Sequence, residues 1–413
     1  MIKKLFNIYP ATRSLNQKLV WPIHASIFHI HSEYHYEAKT FSVAGLQSKA
    51  GENEGSAKIL AFAIDNKLAT EETLTLFGQC YQEVLDDPDG EIHPNIRLLM
   101  VNGIASVKFS EGSCLTKRRK SLEETITDTW ETRASINRED DYVGRNNVFE
   151  IFELIEAGLL GPVAVNPHVL SIAENRDEAE RGIIVLDWVK KALLLGLGKQ
   201  FKMRWIDKKQ GYRDFLPVFP MSWDEFDALE KCKLDSRQAP PGMRRGSMFK
   251  GVQAMPNTWT NSGAVVGEGT MLDNASVAAS CSWIGKNCHI SGKGGVGGVF
   301  EPLGAIPNVV GDNVFIGVGS EPTEGCIICS GAVLAPKVVI TSGTRIYDMR
   351  PGKNYGTYNF GFIPHDVLVT EGTYSMGTGV DDVGISAGCA IIRKDMDPEK
   401  RGKVDTNAML REM

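Results

Sequence analysis

Between residues 264 and 348 an aliphatic or small residue returns at every sixth position, in two phased runs. The first run is Val266, Leu272, Ala278, Ile284 and Ile290, and the second is Val310, Ile316, Pro322, Ile328, Leu334, Ile340 and Ile346. Two places before these positions stands a second narrow side chain: Ala264, Thr270, Ser276, Ser282 and Cys288, then Val314, Ser320, Cys326, Ala332, Val338 and Thr344. Neither the 3.6-residue period of a helix nor the two-residue period of a strand produces this spacing. A fixed period of six predicts a left-handed parallel β-helix, a triangular coil in which each hexapeptide forms one face and one corner. The aliphatic residue points into the prism, and each coil buries its apolar side only against its neighbours. Compact or φ-permissive residues are expected at the corners, where Gly269, Asn287, Asn313, Gly319, Gly325, Gly331 and Gly343 recur. The interval 291–309, with Gly292, Gly294, Gly295, Gly297, Gly298 and Glu301-Pro302-Leu303, reads as a loop extruded from one corner.

Upstream the pattern is less regular. Residues 23–43 alternate, as in Ile27-Phe28-His29-Ile30-His31, and predict two strands turning near Ser32-Glu33, with His29 and His31 on one face. Residues 45–58 read as loop and 61–64 as a short strand. A helix is expected from Thr70, carrying Leu74, Leu76, Phe77, Cys80, Tyr81 and Leu85 and stopping at Asp86-Asp87-Pro88-Asp89-Gly90. Residues 96–107 read as one or two strands around Asn102-Gly103. The basic cluster Lys117-Arg118-Arg119-Lys120 precedes a Ser121-x-x-Glu124 capping box and is read as a solvated helix entry rather than a phosphate site. Helices follow from Asn147 and across 185–195, and residues 367–369 and 390–392 are strand candidates.

The fold class expected is therefore α+β N-terminal regions followed by a left-handed parallel β-helix. The charged run Arg138-Glu139-Asp140-Asp141 suggests the first division. Residues 1–145 form an extra α/β domain of unknown role, 146–240 a helical substrate-side domain, 241–350 the β-helix, and 351–413 C-terminal strands and tail. The 45 basic against 51 acidic residues, a net charge of −6, supply no general attraction for nucleic acid or an anionic membrane. No stretch approaches a transmembrane span and residues 1–9 lack a signal-peptide pattern, so the cytoplasm is expected. Cys326 and Cys329 form a CxxC, but Cys326 fills an inward slot, and neither this pair nor His29 and His31 has a complete ligand set. No metal is expected.

Longer strings are more specific than the period. They include Gly267-Glu268-Gly269-Thr270-Met271-Leu272-Asp273, Gly297-Gly298-Val299-Phe300-Glu301-Pro302-Leu303, Phe315-Ile316-Gly317, Ser320-Glu321, Thr344-Arg345-Ile346-Tyr347-Asp348 and Arg401-Gly402-Lys403-Val404, with Trp188-Val189-Lys190-Lys191-Ala192 upstream. In this order they resemble the tetrahydrodipicolinate N-succinyltransferases of lysine and diaminopimelate synthesis, over about two thirds of the chain. The resemblance implies a homotrimer with active sites in clefts between neighbours, succinyl-CoA as co-substrate rather than a tightly bound cofactor, and an amino-dicarboxylate acceptor. It implies Arg244 as the acceptor-binding arginine, Asp273 as the catalytic aspartate, also touching the acceptor, and Glu321 as the second acidic residue. Two departures stand close by: Asn274-Ala275 where the family has Thr-Trp, and Gly319 where it has arginine.

The chemistry suits these types. An α-amine has a pKa near ~7.7–8.0, so attack on a thioester needs a proton acceptor, which a carboxylate such as Asp273 supplies. A guanidinium fork binds both oxygens of a carboxylate, which suits Arg244, with Arg245 as the neighbouring alternative. Asp273 alternatively caps a coil corner, and His289, outward-facing between two inward positions, ranks below it as a base. Backbone amides at glycine corners such as Gly317 and Gly331 are candidates to hold the CoA thioester, and Lys400, Arg401 and Lys403 to meet CoA phosphates. Two other readings stand beside succinyl transfer: a related CoA-dependent N-acyltransferase with another lysine-like acceptor, and a non-catalytic β-helix assembly module.

Overall fold

The computed structural model describes residues 21–136, 144–197, 242–249, 251–255, 257–353, 360–378 and 384–397. Between residues 242 and 363 the described residues wind as the left-handed β-helix that the six-residue period predicts, built mostly from two-residue strands stacked in parallel on three faces. On one face Val265 pairs with Trp283, Trp283 with Val309, Val309 with Ile327, and Ile327 with Phe362. On the second, Met271, His289, Phe315, Val333 and Leu368 follow one another, and on the third Gly242, Trp259, Val277 and Gly295, continued by Glu321 and Val339.

In each strand the second residue points inward, and Val266, Leu272, Ile284, Ile316, Leu334 and Ile340 are fully buried in one continuous core. Polar residues occupy several of the narrow inward slots, and at Thr270 and Ser320 the coil backbone satisfies them, whereas the fully buried Ser276 hydroxyl has no hydrogen-bond partner among the described residues. Thr270 Oγ1 donates to Gly285 O at 2.8 Å and accepts from Cys288 N at 3.0 Å. Ser320 Oγ donates to Ala335 O at 2.7 Å and accepts from Val338 N at 2.9 Å. Both CxxC thiols are buried, as packing requires. The corners repeat with left-handed φ between 55° and 77° at Gly269, Ala275, Cys281, Asn287, Lys293, Asn313, Gly319, Gly325, Gly331 and Lys337. Gly343, expected at a corner, is not among them.

The extruded loop is shorter than expected, because Gly295–Val296 is itself a coil strand, leaving 297–308 outside the prism. That loop is pinned from the helical region, where fully buried Lys190 donates to Ala305 O at 2.7 Å. The antiparallel strand pair Val163–Val165 and Ile183–Val185 packs on the outer side of the first face, against Val309, Ile327 and Phe362. At the far end the two strand candidates belong to a long antiparallel hairpin, Val367–Thr378 with Gly384–Asp395.

The N-terminal region departs from the alternation. Of the two strands expected across residues 23–43, the first is instead the helix Ile23–Glu33, so His29 and His31 do not share a face, while the second falls where Tyr34–Tyr36 and Phe41–Val43 are strands. Ala25, Ile27, Phe28, Ile30, His31 and Ser32 are all buried in that helix, because it is packed by the helices Glu54–Asp65 and Leu122–Glu131 and by Val163–Val165. Burial on most sides erases the 3.6-residue signal. Residues 54–65, expected as loop and strand, are helical, as are 94–102, expected as strand. The helix from Thr70 is two helices, Thr70–Leu76 and Gln79–Asp86, broken where Gly78 takes φ +53° against the carbonyl of Trp21.

The capping box forms: Ser121 Oγ accepts from Glu124 N, and Glu124 Oε2 from Ser121 N, both at 3.1 Å. Arg118 grips Glu150 through both terminal nitrogens, at 3.2 and 2.5 Å, and Lys120 pairs with Asp128, so half of the basic cluster is spent on structure. The division expected at residue 145 does not coincide with a break in packing. Leu122–Glu131 packs on Arg145–Glu156 and Asp187–Leu197, and one hydrophobic core runs from Trp21 to Leu195. The run 138–141 lies outside the described residues.

Candidate active site

Asp273 and Glu321 come together on one edge of the prism, the corner between the second and third faces. Asp273 follows the inward Leu272, and its amide donates to Ile290 O at 2.9 Å. Its Oδ1 accepts from Asn274 N at 2.7 Å, while Oδ2 leans toward Gly292 on the next coil, 3.8 Å from where a Cβ would stand. Glu321 opens its strand two coils from Asp273, and its Oε1 lies 3.6 Å from the Cβ position of Gly295. Both carboxylates thus lean over the same intervening segment, Gly292-Lys293-Gly294-Gly295. Two strand spacings separate their coils, roughly 10 Å at about 4.8 Å per step. A Cβ on Gly294 would sit 2.9 Å from Ser291 O and one on Gly295 3.2 Å from Val277 O, so the coil between the carboxylates stays bare.

Lys293 was not anticipated. It holds φ +58° on that bare segment, is exposed, and among the described residues its ammonium has no ion-pair partner. Its position in the six-residue count, three places after Ile290, was the available signal: a lysine stands where glycine or asparagine is cheaper. Both departures from the resemblance lie in the same corner column, Ala275 one coil below Lys293 and Gly319 one coil above, with nothing within 4 Å of a Cβ at Gly319.

Arg244 is elsewhere. It follows Met243 at the other end of the third face, four strand spacings from the level of Glu321, roughly 19 Å. It is half-buried, its Nη1 donates to Asn261 Oδ1 at 3.2 Å, and burial pulls its pKa below the usual guanidinium value. Arg245 is the structural neighbour: its Nε meets Glu156 Oε1 at 2.6 Å with both side chains buried. Glu156 Oε1 also accepts from Gly246 N at 2.8 Å, which fixes the turn that presents Arg244.

The expected amide donors at Gly317 and Gly331 are a correction. Gly317 N donates to Leu334 O and Gly331 N to Asp312 O, both at 2.8 Å, so the coil consumes these groups and neither is offered to a thioester. Gly317 lies on the Asp273 edge and Gly331 on another. His289 faces outward and stacks on Phe315, ring centroids 5.1 Å apart, in a row with Met271 and Val333. Lys400, Arg401 and Lys403 lie outside the described residues.

Comparison with known proteins adds identity to this geometry. The 2,3,4,5-tetrahydropyridine-2,6-dicarboxylate N-succinyltransferase of Polynucleobacter asymbioticus is 35% identical over 300 residues, covering 71% of this chain and 99% of its own. That of Idiomarina loihiensis is 35% identical over 296 residues, 71% of this chain and 98% of its own. This chain belongs to that N-succinyltransferase family. A match to 71% of the chain is more than the part beyond residue 145 holds, so the family portion reaches back to the Leu122–Glu131 helix. Residues 13–114 match a different family model, described as HopJ type III effector protein. A solved structure of a protein of unknown function is 31% identical over 29% of this chain and 94% of its own, with a TM-score of 0.25.

Proposed function

We propose that the chain moves the succinyl group of succinyl-CoA to the amino group of tetrahydrodipicolinate, in its open form 2-amino-6-oxopimelate, within lysine and diaminopimelate biosynthesis. The observation that carries this is the edge where Asp273 and Glu321 flank a bare glycine segment, in a chain that spans nearly the whole length of the N-succinyltransferases it matches. The amine nitrogen attacks the thioester carbonyl and Asp273 takes the amine proton; the C–S bond then breaks, that proton passes to the departing sulfur, and CoA leaves as the thiol with Asp273 again a carboxylate. Glu321 assists from the other side of the bare segment. Lys293 sits between them as a cation for a substrate carboxylate, with Arg244 gripping the acceptor from a neighbouring chain.

The neighbour enters for a geometric reason. Arg244 lies too far along its own prism to meet a small acceptor held at Glu321, so these roles combine only across a subunit cleft. The outward row Met271, His289, Phe315 and Val333 is half-buried and largely apolar, as a contact face of a homotrimer would be. No helix among the described residues is long and apolar enough to cross a membrane, in keeping with work in the cytoplasm. The division is better drawn at 115–121, between the two family matches, than at 145.

Release of free CoA, followed with a thiol reagent while succinyl-CoA is varied against tetrahydrodipicolinate, tests the reading. Turnover of this pair supports it. The open space at Gly319 and the small Ala275 favour a second reading, transfer to a different amino-dicarboxylate, which turnover of succinyl-CoA with that acceptor alone would establish.

A further inference from the structure

The HopJ-like region, residues 13–114, plays no part in the acyl-transfer geometry, yet it brings three ligand-type side chains together. Cys80 and Glu83 lie one turn apart on the helix Gln79–Asp86, a spacing that puts both on one side. His93 arrives from the loop that follows, just ahead of the helix Pro94–Asn102. Its Nε2 is 2.6 Å from Glu83 Oε2, and sulfur, oxygen and nitrogen donors all lie within 4.8 Å of one another.

The loop is built to hold the histidine there. Arg97 donates to the carbonyls of Ile92 at 2.8 Å, Pro88 at 2.7 Å and Asp87 at 2.7 Å, clamping 87–92 from within. His93 is kept at φ +55°, a left-handed conformation that costs a residue with a Cβ and persists only when its surroundings impose it. A histidine–carboxylate pair on the surface would need neither the clamp nor a thiol beside it.

We propose that Cys80, Glu83 and His93 form a binding site for a borderline transition-metal ion, Zn(II) by its sulfur, nitrogen and oxygen donors, with a water molecule as the fourth ligand. Tetrahedral zinc bonds of ~2.0–2.3 Å put ligand atoms roughly 3.3–3.8 Å apart, so the cluster closes on an ion with about an ångström of side-chain movement. Burial and Glu83 push the Cys80 thiol up to about 11, against a smaller opposing pull from Lys286 on the β-helix. Binding therefore releases the thiol proton to solvent as the sulfur–metal bond forms. Among the described cysteines, Cys114, Cys281, Cys288, Cys326, Cys329 and Cys389 are buried, at most 7% exposed, and Cys80 is the one that is not. The site is independent of succinyl transfer.

The test uses the full chain, stripped of metal and dialysed. Zinc is titrated in competition with a chromophoric chelator, and cobalt(II) is titrated as a spectroscopic probe. One zinc per chain is expected, weakened at least about tenfold by Cys80→Ser and by His93→Gln, with succinyl transfer unchanged in both. Cobalt should give tetrahedral visible bands and a near-ultraviolet thiolate band that Cys80→Ser removes. If Cys80→Ser does not fold, Glu83→Gln and His93→Gln carry the same affinity test. No stoichiometric uptake, uptake indifferent to these substitutions, or a cobalt spectrum without the thiolate band would each overturn the proposal.

Discussion

Glu156→Ala isolates the anchor that presents Arg244. The carboxylate, 3% exposed, accepts from Arg245 Nε at 2.6 Å and Gly246 N at 2.8 Å, joining the helix Arg145–Glu156 to the first corner of the β-helix. Removing it leaves a buried guanidinium and a buried amide without this acceptor, a loss of about 3–5 kcal/mol for breaking one side of a buried pair. That is a large share of the ~5–15 kcal/mol that stabilises a domain. Glu156→Gln keeps an acceptor for both donors but not the charge, so its loss should be smaller, about 1–3 kcal/mol. Urea unfolding of wild type, both single variants and Glu156→Ala/Arg245→Met measures the series. The double variant should recover much of the loss, because no buried charge remains unpaired. In kinetics the KM for the acceptor should rise more than kcat falls, since Arg244 is displaced and Asp273 is not. Gly246 at φ +71°, its Cβ position 2.8 Å from the Phe152 ring, gives the turn no room to re-form elsewhere. A Glu156→Ala protein within 1 kcal/mol of wild type, with unchanged KM, would refute this account.

Asp273→Asn should lower kcat at least roughly a hundredfold while CoA-ester binding stays nearly constant, the lower limit of a general base; near-normal turnover would remove Asp273 from that role. Lys293→Gly should raise the KM of one carboxylate-bearing substrate severalfold and, by relieving a left-handed φ of +58°, stabilise the coil by about 1 kcal/mol; a fall in stability with unchanged KM would argue that the lysine serves the fold. Burial, helped by Lys286, lowers the pKa of His24 to about 4 from an ordinary 6.5. A depressed folded-state value means this contribution is fully present above pH 6.5 and is lost as pH falls toward 4, about 3 kcal/mol in all. Because His24 meets the Trp283 ring at 5.5 Å, acid should loosen the helix Ile23–Glu33 from the β-helix, and His24→Phe should flatten the urea midpoint against pH over that range.

The β-helix was legible in sequence because each hexapeptide meets the same surroundings, so inward, narrow and corner residues recur in step and burial writes one period along the chain. The N-terminal helices were not legible, because Ile23–Glu33 is buried by neighbours distant in sequence and therefore shows no polar face. Gly78 breaks a helix for a similar reason, a close approach to Trp21 that local pattern does not contain. At the site, sequence alone singled out Asp273, Glu321 and Arg244 through resemblance and located Asp273 and Glu321 at coil corners. Only the stacking registers decided the rest. The eight-residue lengthening of the coil between His289 and Phe315 determines which residues share an edge, so it sets Glu321 over Gly295, puts Lys293 between the carboxylates and leaves Arg244 four levels away. The amides of Gly317 and Gly331 looked available in sequence, but parallel stacking obliges each coil to donate to the next.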